Sequence, residues 1–160
     1  MKVKQFLCLA IVPFIFFSCG KEESDYRDGY VGTYVTDIVG SILLVDAGVM
    51  LPMDINNQNF VVRKSGKEQL IIAFAGENTI VTVDKEGNFI IPTETFSQTQ
   101  TNPETGVQVT MNATSTGFGI ITNKTLYMKE TVSGSAVLEM NGEVDYSDVS
   151  GTIVYNGKKK

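Results

Sequence analysis

The sequence predicts an all-β, antiparallel fold of eight to ten short strands, and three observations carry that expectation. From Tyr30 onward Thr, Val, Ile, Phe and Tyr are frequent. Turn-forming pairs recur at Ser65-Gly66, Gly76-Glu77-Asn78, Glu86-Gly87-Asn88, Asn102-Pro103, Ser133-Gly134, Asn141-Gly142 and Ser150-Gly151. No window of helical length keeps an i, i+3, i+4, i+7 apolar stripe between good caps, and the stretch Ser41 to Asp46 is the one place for a short helix. That many consecutive strands must hide their edges, by closing into a barrel or by packing as two sheets in a sandwich.

Taken in order, Gly40 to Met53 is almost wholly apolar apart from Ser41 and Asp46, with Gly48 and Pro52 interrupting it. It reads as a pair of core strands or a folded-in loop, the alternative being an apolar lip over a cavity with Leu51 and Met53 exposed. Asn59 to Arg63 is a short strand. Leu70, Ile72 and Phe74 alternate with Ile71, Ala73 and Ala75, leaving no polar face, as expected of a central strand covered on both sides or lining an apolar interior. Thr79 to Asp84 and Asn88 to Ile91 follow as strands, whereas the polar run Thr93 to Thr105 reads as a long hairpin connection. Val107, Val109, Met111 and Ala113 alternate with Gln108, Thr110 and Asn112, the pattern of a half-buried strand. Thr125 to Val132, Ser135 to Met140 and Thr152 to Tyr155 complete the set, and Lys158, Lys159 and Lys160 form a basic, solvated tail, the alternative being contact with anionic headgroups.

Tyr30-Val31-Gly32-Thr33-Tyr34 opens the folded part, with Gly32 permitting close approach of another chain and Tyr34 plugging a barrel end. This segment resembles the first strand of calycin-like, lipocalin-type barrel lipoproteins, with Tyr34 where lipocalins proper have Trp. The resemblance implies an up-and-down barrel of about eight strands over residues 30–157, with an interior that can hold a ligand.

Upstream, Lys2 and Lys4 precede an uncharged apolar run from Phe6 to Phe17, too short to span a bilayer and laid out like a bacterial secretory signal. The run ends in Phe16-Phe17-Ser18-Cys19-Gly20, which resembles the relaxed lipobox of Bacteroidota-type outer-membrane lipoproteins. That resemblance implies a signal peptide over residues 1–18, cleavage between Ser18 and Cys19, and acylation of Cys19 on its sulfur and new amino terminus. Each buried methylene contributes about 0.8 kcal/mol, so two or more chains anchor a protein where one holds it marginally. The only other cysteine, Cys8, lies within the signal, which leaves Cys19 no disulfide partner in the mature chain. Lys21-Glu22-Glu23 resembles the short acidic export signals of surface-exposed lipoproteins of that type, with a solvated tether over residues 19–29 as the alternative.

Composition then narrows function. The 13 basic residues less Lys2 and Lys4 leave 11 against 18 acidic ones, a mature net charge of −7, which argues against nucleic acid as a partner. Histidine is absent, which removes the usual neutral-pH acid-base group and the commonest metal ligand. No Gly-x-Ser-x-Gly elbow or Ser-x-x-Lys occurs in the mature domain. Asn141, Glu143, Asp145 and Asp148 match no standard calcium loop and read as a polar turn. Glu94, Glu104, Glu130 and Glu139 have no local spacing that pairs them for glycoside hydrolysis. The expectation is a non-enzymatic cell-envelope module without cofactor or metal, anchored in the outer membrane and displayed at the cell surface or facing the periplasm. Its partner is a small apolar ligand or a protein. The alternatives are a structural component of a surface complex and a carboxylate-dependent surface hydrolase.

Overall fold

The computed structural model describes residues 24–101 and 105–160. After a short 3-10 helix, Tyr26–Gly29, eight strands follow: β1 Gly32–Leu44, β2 Val49–Ser65, β3 Gln69–Phe74, β4 Glu77–Thr82, β5 Asn88–Thr101, β6 Gln108–Ile121, β7 Thr125–Met140 and β8 Glu143–Lys159. They form one antiparallel sheet in the order β4-β3-β2-β1-β8-β7-β6-β5. The sheet rolls until its outer strands meet, where a single bridge, Val83 to Phe89, joins them. The result is a nearly closed up-and-down barrel, consistent with the calycin-like architecture, with a seam between β4 and β5.

Strand length divides the barrel into two halves. β3 and β4 have six residues each and the other strands 13 to 17, so the β3–β4 hairpin walls only the half that contains the chain termini. Beyond it six strands continue as an open trough. β3 pairs with β2 only from Val61 to Ser65, so β2 has a free edge from Val49 onward. Pro52 stands on that edge and Pro92 in the β5 irregularity between Ile91 and Glu94, the kinds of position where a sheet tolerates proline.

The terminal end is closed by aromatic side chains. Tyr34 is fully buried, and its hydroxyl lies 2.8 Å from the Tyr30 carbonyl oxygen and 2.9 Å from that of Thr122. The Tyr30 hydroxyl donates to the Lys85 carbonyl oxygen, and Arg27 donates to the carbonyl oxygens of Ser65, Gly66 and Gln69. Above this plug the inner face carries Phe60, Val62, Leu70, Ile72, Val81, Phe89, Ile91, Leu126 and Met128, all buried. In the trough the core thins to Ile42, Leu44, Ala113, Val132, Ala136 and Val149, with Met53, Phe96, Met111 and Leu138 packed on it.

Several strands are longer than the sequence pattern indicates. Ser133-Gly134 and Ser150-Gly151 are not turns but interior positions of β7 and β8. A Cβ at Gly134 would collide with the Asn112 carbonyl oxygen, and one at Gly151 would come within 2.6 Å of the Ser41 carbonyl oxygen, so glycine there lets neighbouring strands approach closely. The polar run after Thr93 continues β5 to Thr101, because pairing with β6 satisfies its backbone while its Thr and Gln side chains face water. Ser41 to Leu44 is strand, not helix, and β3 lies beside the seam rather than at the sheet centre. Lys158 and Lys159 are not a loose tail: they form the last rungs of β8 against β1 and β7, and the Lys160 N–H donates to the Thr33 carbonyl oxygen.

Candidate functional sites at the mouth and the seam

Where the closed half opens into the trough, a space of about 100 Å³ remains among Phe60, Ile72, Phe74, Val81, Ile91, Met128 and Tyr155. Phe60 stacks on Phe74 at 4.4 Å and meets Tyr155 edge-on at 5.8 Å, so aromatic rings form its floor. Two carboxylates, Glu77 from the β3–β4 hairpin and Glu130 from β7, reach the same space. Glu130 faces inward because it alternates in step with the buried Leu126, Met128 and Val132. Burial, and then the charge and hydrogen bond of Glu130, hold the Tyr155 hydroxyl above the usual tyrosine range. The space is well below the roughly 300–1,000 Å³ of an ordinary ligand pocket.

Above this floor the inner face is apolar and open along β2. Val49, Leu51 and Ile55 are cross-strand partners of the buried Leu44, Ile42 and Ile38, which places them on the inner face. They nevertheless remain exposed, Leu51 at 40% and Ile55 at 42%, because no β3 residue covers them at that height. Leu51 is thus exposed on the inner face while Met53 is half-buried against the core. Val45, Met50, Met140, Val144 and Tyr146 extend the exposed apolar surface around the distal tips.

Charge is segregated along the barrel axis. Asp54, Val39, Val154, Lys129, Phe118 and Ile90 lie in register across six strands and mark the waist. Distal to them, the described residues carry Asp46, Glu94, Glu130, Glu139, Glu143, Asp145 and Asp148 and no Lys or Arg, a net of −7. The waist and terminal side carry all ten described basic residues, among them Lys85, Lys124, Lys158, Lys159 and Lys160, against eight acids, a net of +2. Asp46 spends its carboxylate on the distal tip itself, accepting from the Asp148 N–H at 2.8 Å.

A second feature is the seam. A shallow cleft of about 960 Å³ runs along it, from Tyr26 and Glu68 past Val83 and Phe89 to Pro92. Ile80, Ile90, Phe118 and Ile120 stand exposed on its outer side, Ile90 at 70% and Phe118 at 47%. Ile90 and Phe118 are direct cross-strand partners, and Tyr127 sits next to Ile120 on β7. Tyr26 marks where the chain enters the fold, its hydroxyl donating to the Val83 carbonyl oxygen at 2.9 Å. Asp25 pairs with Arg27 at 2.7 Å and Lys64 at 3.1 Å, and the Arg27 guanidinium holds its carboxyl well below the usual carboxylate range.

The residues singled out by sequence fall as follows. Cys19, Lys21, Glu22, Glu23 and Glu104 lie outside the described residues. Asn141 takes the positive φ of the β7–β8 turn, while Glu143 and Asp145 run up β8. Among the described residues no three acidic or cysteine side chains gather as a cation site. Glu94 lies on β5 and Glu139 near the end of β7, whereas Glu130 lines the same small space as Glu77, an acid that its place in a turn-forming triplet concealed. The chain matches no protein-family model, no curated protein and no solved structure.

Proposed function

We propose that this protein is a non-enzymatic, lipid-anchored binding module of the cell envelope. Acyl chains on Cys19 hold it in the outer membrane, Lys21-Glu22-Glu23 directs it to the cell surface, and the distal mouth of the barrel engages a partner protein. The observation that carries this reading is the row Val49, Leu51 and Ile55, apolar side chains on the inner face of a trough that the β3–β4 hairpin leaves uncovered. Contiguous exposed apolar surface with a polar rim is the usual mark of a protein contact. The partner-protein reading gains over the carrier of a small apolar ligand because the space at the floor of the trough is only about 100 Å³, small for a ligand pocket.

Mass spectrometry of the membrane fraction tests the anchor: Cys19 carries two or three acyl chains, and Cys19→Ala releases the protein from membranes. Protease shaving of intact cells tests the address, loss of the domain meaning surface display and its survival a periplasmic face. A photo-crosslinking residue at Leu51 tests the mouth. One discrete protein adduct in cells, absent with the crosslinker at Val35 and abolished by Ile55→Asp, supports the reading. A stoichiometric apolar molecule extracted from the purified protein, without any adduct, favours the carrier.

A further inference from the structure

We propose that the seam patch formed by Ile80, Ile90, Phe118 and Ile120 is a second membrane contact, so that the barrel leans on the bilayer with its β4–β6 side. The inference rests on the anchor reading and goes beyond it, since acylation of Cys19 fixes a point of attachment and no orientation.

Its first support is where the chain leaves the fold. Tyr26 is itself part of the seam cleft and is tied to Val83. Six Cα–Cα steps separate Cys19 from Asp25, and at no more than about 3.6 Å each they reach roughly 20 Å whatever their conformation. The end of the barrel beside the seam is therefore kept near the bilayer surface. Phe118 is three residues from the end of β6, about 10 Å along the strand, so the patch begins close to that end of the barrel.

The second support is asymmetry of the outer surface. On the opposite side of the barrel β1 and β8 pair along their length, and of their outward apolar side chains near the waist only Val39 is strongly exposed. The seam concentrates four large apolar residues, with Lys129 beside Phe118 on the neighbouring strand. Side chains of this kind enter the boundary between headgroups and acyl chains, where a Lys stem extends to the headgroups. The seam cleft also carries Glu68, Asp84 and Glu86 against Lys85, so the contact rests on its apolar side chains rather than on charge.

The test uses the acylated full-length protein bound to vesicles of phosphatidylethanolamine and phosphatidylglycerol that carry doxyl-labelled acyl chains. An environment-sensitive fluorophore is placed by Phe118→Cys, by Ile90→Cys and, as the opposite-side reference, by Val39→Cys. The labels at 118 and 90 should shift to the blue and lose most of their emission to the doxyl lipids, while the label at 39 keeps its aqueous spectrum. Two results overturn the proposal in a protein shown to be acylated and vesicle-bound. One is labels at 118 and 90 as aqueous as that at 39; the other is labels protected from water yet unquenched by lipid, which identifies a second copy or another protein as the occupant. Equal quenching at all three positions overturns it as well, because then no side is preferred. An unmodified Cys19 that leaves the protein in solution overturns the anchor reading and this inference together.

Discussion

Thr36 offers the sharpest test of how the barrel interior is built. It is fully buried on β1, between Gln58 of β2 and Gly157 of β8, and its Oγ1 has no hydrogen-bond partner among the described residues. A hydroxyl taken out of water without a partner costs about 1–3 kcal/mol. Thr36→Val keeps the branched shape and strand preference, removes that cost, and adds the transfer of one methyl group, about 0.8 kcal/mol. The substitution should therefore stabilise the protein by about 2 kcal/mol. With a urea m-value near 2 kcal/mol/M, the midpoint rises by about 1 M. Equilibrium unfolding of the mature Cys19→Ala protein, followed by far-UV circular dichroism, measures the change. An unchanged or lowered midpoint would refute the reasoning, because the hydroxyl would then have a bonding partner in solution.

Tyr34→Phe tests the plug from the other side: removing the hydroxyl takes away the one O–H that the Tyr30 and Thr122 carbonyl oxygens share, and a loss of about 1–2 kcal/mol in the same assay is expected. Gly134→Val drives a side chain into the Asn112 carbonyl and the Ala113 backbone and should cost about 2–4 kcal/mol or prevent folding, whereas Gly142→Ala, in open space, should cost no more than about 1 kcal/mol for its positive φ. The lowered carboxyl of Asp25, held by Arg27 and then by Lys64, stabilises the fold above the ordinary carboxylate pKa, and that stabilisation is lost as pH falls toward the folded value. The stability gap between wild type and Asp25→Asn should accordingly be full at neutral pH and shrink below about pH 4. Tyr34, pushed up to about 12 by burial, favours the fold below the ordinary tyrosine value and ceases to do so as pH rises through the folded one. Absorbance at alkaline pH should show it ionising only as the protein unfolds.

The all-β class and the faces of individual strands are legible in the sequence wherever one side is wet and the other dry. Val109, Met111 and Ala113 pack inward as their alternation predicts, and Leu70 and Ile72 are buried as a run without a polar face requires. Strand length is not legible by the same rule. Gly134 and Gly151 look like turn residues because glycine suits both a turn and a close approach of strands, and only the neighbouring backbone decides between them. Thr93 to Thr101 looks like loop because Phe96 is its one apolar side chain, although ladder bonds need no apolar side chain. The mouth was partly visible in the apolar run from Gly40 to Met53. The seam patch was not, because only closure of the barrel brings Ile80 of β4 beside Ile90, Phe118 and Ile120 of the β5–β6 hairpin.

The seam also separates the order of the chain from the order of its strongest ladders. The sheet order read from β5 is β5, β6, β7, β8, β1, β2, β3, β4, a plain meander interrupted only where β8 is not covalently continuous with β1. That non-covalent join runs from Tyr34 against Lys159 to Leu44 against Val149, while β4 and β5, successive in the chain, share one bridge. Covalent continuity and ladder strength are therefore exchanged at two points of the ring. A circular permutant opened between Asp84 and Gly87, with Lys160 linked to Ser24, would place every strong ladder between consecutive strands. Its contacts would be more local, and such a chain should fold faster than the native order while reaching the same barrel.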